Sequence, residues 1–243
     1  MTKRINRMVF FLFLALASGI VVFTCFQLLQ ADIAPLAALD DAITTGKQQL
    51  FAKTVSGALQ AHQTFLAAKN QYDAAASDQQ KIKLRTYLAI TRLADVILSN
   101  DSQGANTLRK VFSQYGITFT GDSSEDIKAQ LPINSQDKPI LPSSAPSGEA
   151  VCSFLSGSFL TAIDSSIADM NIVISLLGTS ESKEILLKSL LDPQGKDPTL
   201  QNVEVDDGDY YLFRAFLKAM RGFILTWTSY NQDFNARELA AIM

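Results

Sequence analysis

Along most of the chain, apolar residues return every three or four positions. From about Lys47 to Ala75, the residues Phe51, Val55, Leu59, His62, Phe65, Leu66, Lys69 and Tyr72 fall on one side of a helix, and alanines between them favour that state. Gly46 is expected to separate this helix from a shorter one after Pro35, with Asp32 as its cap. Ser77-Asp78 reads as a break and a cap for a helix from Gln79 to Leu98. Leu84, Tyr87, Leu88, Thr91, Ala94 and Leu98 line one side of it, and Ile90, Leu93 and Ile97 widen the stripe, so it is expected to pack on two sides. A helix from Ala105 to Tyr115 should stop at Gly116, and Ser123 or Ser124 should cap one further turn through Gln130.

The second half repeats the pattern. A helix from Glu149 to Leu177 carries Phe154, Leu155, Phe159, Ile163, Ile167, Met170, Ile174 and Leu177 on its expected core side and stops at Gly178. Another runs from Ser180 to Leu191. A last long one, from about Gly208 to Tyr230, shows a wide apolar face of Phe213, Phe216, Leu217, Met220, Phe223, Ile224 and Trp227. Asn235 with Glu238 suits a final short turn. Ile117–Thr120 and Val203–Val205 are too short and isolated to make a sheet. The expected class is all-α: an N-terminal apolar helix, then packed helical hairpins in a bundle or a tetratricopeptide-like array.

The N-terminus differs in kind. Lys3, Arg4 and Arg7 precede a run from Met8 to Phe26 without a charge. As a helix this run covers about 28 Å, close to the hydrocarbon thickness of a bilayer. The basic flank belongs in the cytoplasm, which puts the body on the other side of the membrane. Three fates lead there: an uncleaved signal anchor, a signal peptide cut after Leu29-Gln30-Ala31, or a lipid on Cys25. Residues 1–30 are therefore set apart. Residues 31–131 form a first helical subdomain, and 149–243 a second that packs on it. The stretch 132–148, with Pro132, Pro139, Pro142 and Pro146, is read as a linker or surface loop.

Charge and composition narrow the functions. Net charge is −3, and setting aside the three N-terminal cations leaves six negative charges in excess on the rest. Such a body lacks the basic patch that nucleic acid requires. Two cysteines and one histidine fall short of the usual four-ligand zinc site. Candidate chemistry reduces to a few groups. His62, the sole histidine, has no Ser, Cys or acid at helical spacing and is expected to pack between helices. Glu204, Asp206, Asp207 and Asp209 lack the glycine and glutamate of a calcium loop and are expected to cap the following helix, with a cation site at 204–209 as the rival. Arg214, Lys218 and Arg221 share one side of that helix and are expected to form its solvated or salt-bridged face. Asp164 and Asp169 diverge by roughly 140° around a helix axis and so do not share a substrate. Cys152 is expected to be buried as a small apolar residue, and Gly178-Thr179-Ser180 lacks the features of a phosphate loop. No catalytic, cofactor-binding or metal residue is assigned.

Arg85-Thr86-Tyr87-Leu88-Ala89-Ile90-Thr91-Arg92-Leu93, following a long Ala-rich helix, is similar to the second helix of a tetratricopeptide-like pair, although the Trp-x-x-Leu-Gly opening and 34-residue period of that family are absent. Val203–Asp209 with Phe213–Ala219 resembles a segment of uncharacterised exported bacterial helical proteins. The resemblance implies an exported helical protein without an activity to carry over. The leading expectation is a non-enzymatic scaffold of the cell envelope that binds a protein partner through a groove or face between helix pairs. A periplasmic small-ligand binder or sensor is the alternative. Phe51, Phe65, Tyr210, Tyr211 and Trp227 are candidate contacts, each expected to serve the core instead.

Overall fold

A computed structural model of the chain describes residues 36–99, 107–122, 128–130, 132–136, 140–143, 145–178, 183–192 and 195–230, and these are mostly helical. The apolar N-terminal run, the Pro35 start, Cys25 and the Asn235 turn lie outside the described residues.

The first departure from periodicity concerns the expected helix from Lys47 to Ala75. The chain is instead helical over residues 36–51 (α1), breaks, and resumes as α2, Val55–Tyr72. Gly46 lies inside α1 rather than ending it. A Cβ there would stand 2.4 Å from Phe65 Cζ, so the glycine lets the Phe65 ring rest directly on the α1 backbone. At the break Lys53 takes a left-handed conformation (φ 57°). Thr54 then caps α2, its hydroxyl accepting the Gly57 N–H at 2.9 Å. Asp122, distant in sequence, completes the cap: its carbonyl accepts from Val55 N–H, and its carboxylate accepts from the Ser56 N–H and hydroxyl.

Helix α3, Asp78–Leu98, starts where Ser77-Asp78 indicates. Ser77 and Gln80 form a reciprocal capping box, and Gln80 also donates to Leu36 O and Asp40 on α1. Contacts of Asp73 with Arg85, Phe65 with Tyr87 and His62 with Thr91 set α2 and α3 antiparallel. Helix α4, Leu108–Gln114, ends before Gly116, whose φ of 81° is the expected left-handed stop. Pro132 and Pro142 close on that turn, and Tyr115 donates its hydroxyl to Pro146 O. Of the helical turn expected up to Gln130, residues 123–127 lie outside the described residues and the end is instead a strand: β1, Thr118–Thr120, expected to stay isolated, pairs antiparallel with β2, Lys128–Gln130.

From Gly148 to Leu176 the chain is helical throughout: α5, Gly148–Phe154, then a π turn, Leu155–Phe159, then α6, Leu160–Leu176. Among the described residues this is the one helix long and apolar enough to cross a membrane. It packs on α3 along one side and on an eighth helix along another. Its buried stripe includes Ser166 and Asp169 beside Ala162, Ile163, Met170 and Val173, because α3 supplies partners for both polar groups. The helix expected from Ser180 shrinks to one turn, α7, Lys188–Leu191. Before it, β3, Glu184–Leu186, pairs antiparallel with β4, Val203–Val205, so the segment judged too short to pair does pair. Both ribbons join strands of three residues across intervening chain, where local alternation carries no signal. Helix α8, Asp207–Thr228, closes the described fold.

The long helices follow one another in an antiparallel array, α2–α3–α6–α8. Asp164 opposite Arg221 and Asn171 opposite Arg214 fix the last pair. Helix α3 is packed on two sides, by α2 and by α6. Three apolar clusters fill the array. Leu39, Ile43, Phe65, Leu84 and Leu88 join α1, α2 and α3. Ile82, Met170, Val173, Tyr210 and Leu217 join α3, α6 and α8. Val96, Val111, Phe154 and Ala162 join α3 and α4 to the long second-half helix. Each fully buried Phe, Leu or Ile contributes about 1.5–3 kcal/mol.

Candidate functional site

Two polar clusters lie between the helices. In the first, Asp169 of α6 sits between two arginines of α3: Arg85 Nη1 is 2.6 Å from its Oδ1, and Arg92 Nη2 is 2.7 Å from its Oδ2. The second contact is charge against charge rather than an aligned hydrogen bond. Arg85 also holds Asp73 with both remaining guanidinium nitrogens, and Arg92 reaches Ser166, which donates to Ala89 O. The Asp169 side chain is 4% exposed, and those of Arg85 and Arg92 are 11% and 15%. In the second cluster, Glu184 of β3 accepts from the Tyr87 hydroxyl at 2.9 Å and pairs with Lys47, whose ammonium also stands over the Tyr87 ring. Burial first, and the Glu184 charge second, push the Tyr87 hydroxyl far above the ordinary tyrosine value. Burial does the same to Tyr210. Both clusters tie helices together, and each acid in them is spent on a cation.

His62 is buried on the α2–α3 seam, its Nδ1 3.4 Å from the Thr91 hydroxyl. Thr91 in turn donates to Tyr87 O. Burial lowers the imidazole below its ordinary value, the charge of Asp95 opposes this, and Arg92 adds to it. The residue is packed between helices, as its stripe position implies. Asp164 faces α8 and pairs with Arg221 at 2.7 Å, while Asp169 faces α3, so the two carboxylates diverge as their spacing requires. Arg214 reaches Asn171 and lies over the Tyr211 ring, which makes much of the basic stripe a seam with α6. Asp206 and Asp209 form a capping box at the start of α8, and Glu204 pairs with Lys183. Cys152, expected to be buried, is a free thiol only half-buried. Among the described residues, no group of three His, Cys, Asp or Glu side chains converges. A cavity of about 80 Å³ lies between Val55, Ile97, Leu98, Leu108, Phe112 and Phe119, with Arg109 as its charged neighbour.

The apolar residues divide otherwise than expected. Phe65 and Tyr210 are core, and Phe51 is half-buried against the first cluster. Tyr211 and Trp227, expected in the core, are 48% and 45% exposed. The wide apolar face of α8 is in fact two faces. Tyr210, Leu217 and Ile224 pack inward, and Phe213 rests on the same cluster. Leu212, Phe216, Phe223 and Trp227 point away from α6, and the first three are 69%, 54% and 67% exposed. At 100° per residue these four lie within about 60° of arc and form one ridge. Phe223 and Trp227 touch, their ring centroids 6.0 Å apart. Beside the ridge runs a strip of small exposed residues, Ala215, Ala219, Gly222 and Thr226. A Cβ at Gly222 would meet nothing within 4 Å. Nothing among the described residues therefore requires this glycine, which costs an α-helix interior about 0.8–1 kcal/mol relative to alanine. The signal for the ridge was present in the spacing of residues 212, 216, 223 and 227, and the width of the apolar face masked it.

Compared with family models, curated proteins and solved structures, the chain matches none of them.

Proposed function

We propose that this protein is a non-enzymatic helical scaffold of the cell envelope that holds a protein partner against the outer face of α8. One observation carries the reading: a ridge of large apolar side chains stands in solvent on a helix whose other side already serves the core. Each exposed ridge residue costs the hydrophobic free energy that a partner would restore, and a contiguous apolar patch of this kind marks an interaction site. In this reading the antiparallel hairpins act as a tetratricopeptide-like array whose last described helix turns its outer face to the partner. The clustered acids and bases are satisfied between helices, which favours a structural role for them over catalysis. The charge-free run from Met8 to Phe26 behind Lys3, Arg4 and Arg7 supports a cytoplasmic N-terminus with the body outside the inner membrane.

A benzophenone side chain placed at Phe216 or Phe223, with exposed Gln60 of α2 as the control position, tests the docking face in intact cells. Protein adducts at the two α8 positions and none at Gln60 are expected. Equal adducts at all three, or none at α8, refute the face. Protease added to spheroplasts should digest the body, and a protected body would refute the exported orientation.

A further inference from the structure

The α8 face also carries information about what it fits. Counting along the ridge, Leu212, Phe216, Phe223 and Trp227 are separated by four, seven and four residues, a palindrome centred between Ala219 and Met220. On a helix this spacing has a geometric consequence. If a second α8 lies antiparallel across the first with a two-fold axis at that centre, Phe216 stands opposite Phe223 of the second copy, and Leu212 opposite Trp227 of the second copy. Each of the four ridge residues then meets a large apolar one at the same height, ring on ring for Phe216 and Phe223.

The small residues complete the fit. Ala215, Ala219, Gly222 and Thr226 occupy the other half of the exposed face and would let the two helix backbones approach closely. This gives Gly222 the role that its own fold does not, since its Cβ position is open space. The arc spanned by ridge and strip between Leu212 and Trp227 carries no charge, so doubling it brings no like charges together. A bilayer surface would need neither a palindrome nor a strip of small residues.

The area suffices for a modest dimer. With exposures of 69%, 54%, 67% and 45%, the four ridge residues offer about 450 Å² of surface per copy, or about 900 Å² in a pair, and the small residues bring the total to about 1,000 Å². An N-terminal membrane anchor would raise the effective concentration of such a weak interface.

We infer that α8 is a homodimerisation helix, pairing antiparallel with α8 of a second copy about a two-fold axis between Ala219 and Met220. The inference rests on the docking face proposed above and names its occupant.

The test uses the full chain in mild detergent with Cys25→Ser and Cys152→Ser, adding single cysteines. Ala219→Cys, beside the axis, should form a disulfide-linked pair on oxidation. Phe216→Cys, about 10 Å along the helix from its own symmetry mate, should stay unlinked alone and link when mixed with Phe223→Cys. Gly222→Leu, in the native-cysteine chain, should abolish the pair seen by light scattering without lowering the unfolding midpoint at a dilution where the parent is monomeric, because a Cβ there meets nothing within 4 Å and leucine is the better helix former. Self-linkage of Phe216→Cys without linkage to Phe223→Cys would overturn the antiparallel pair. A monomer in every chain would overturn the dimer. Benzophenone at Phe216 separates the two readings. An adduct of twice the monomer mass supports both. An adduct with a different protein alone overturns self-association and leaves the docking face standing. Adducts confined to lipid, or to the chain's own segments, overturn both.

Discussion

Removing the carboxylate of Asp169 should be the most damaging single change among the described residues that leaves backbone and volume nearly intact. Asp169 is 3% exposed and faces two guanidinium groups, Arg85 at 2.6 Å and Arg92 at 2.7 Å. In Asp169→Ala these cations stay in the α3–α6 interface and repel each other without a shared counter-charge. Breaking a buried pair from one side costs about 3–5 kcal/mol, most of it the desolvation of the charge left behind. Two contacts temper the loss: Arg85 keeps Asp73, and Arg92 keeps Ser166. The expected loss is therefore near the lower end, about 3 kcal/mol. At roughly 2–4 °C per kcal/mol for a body of this size, the unfolding midpoint should fall by about 6–12 °C. The assay is thermal and urea unfolding followed by circular dichroism of the full chain in detergent. The triple variant Asp169→Leu, Arg85→Met, Arg92→Met removes charge from both sides and should recover part of the loss, because it leaves no orphan cation at the interface and frees only Asp73, whose side chain is 29% exposed. The reasoning is refuted if Asp169→Ala lies within about 1 kcal/mol of the parent, or if the triple variant is less stable than the single one.

Three further outcomes are expected. His62 is held below its ordinary value by burial, so the unfolded chain takes up a proton near pH 6.5 while the folded chain does so lower. The stability this gives is complete above pH 6.5 and falls as pH drops through that value, and His62→Gln should lack the slope between pH 7.5 and 5; parallel stability–pH curves would contradict it. Gly46→Ala places a Cβ 2.4 Å from the buried Phe65 ring and should cost about 1–3 kcal/mol in urea unfolding, with Phe65→Leu recovering part of it; an unchanged midpoint would show that the ring yields freely. Asp206→Ala removes the acceptor for Gly208 N–H at 2.8 Å and should cost about 1 kcal/mol, measured as faster amide exchange in the first turn of α8; unchanged exchange would show that Asp206 does not hold the turn.

Features set by neighbours in the chain were legible beforehand. The Ser77 cap, the glycine stops at Gly116 and Gly178 and the acidic start of α8 each depend on a few consecutive residues. What escaped depends on contacts far apart in sequence. Asp122 caps α2 from 66 positions away, and that cap lies where periodicity alone predicted unbroken helix. Phe65 requires Gly46, so a residue that reads as a helix breaker is kept for close packing. The strands β3 and β4 are short, and Glu184 within them finds Tyr87 and Lys47 across the fold. The ion cluster left a fainter mark: Arg85 and Asp169 each lie on an otherwise apolar stripe, a position where a charge demands a partner.

The division of α8 shows why the outer face calls for an occupant. In the array α2–α3–α6–α8, α3 is covered on two sides, α2 is backed by α1, and α8 stands at the far end. A terminal helix of a stacked array normally turns a polar face outward, because that keeps the array soluble and closed. Glutamate or lysine at positions 212, 216 and 223 would have provided such a face at no cost to the core, since the inward contacts come from Tyr210, Phe213, Leu217 and Ile224. Alanine at 222 would have strengthened the helix. The chain instead carries leucine, two phenylalanines and a glycine at those four positions. Folding of the described residues accounts for none of these choices, whereas close packing against a second apolar helix accounts for all four.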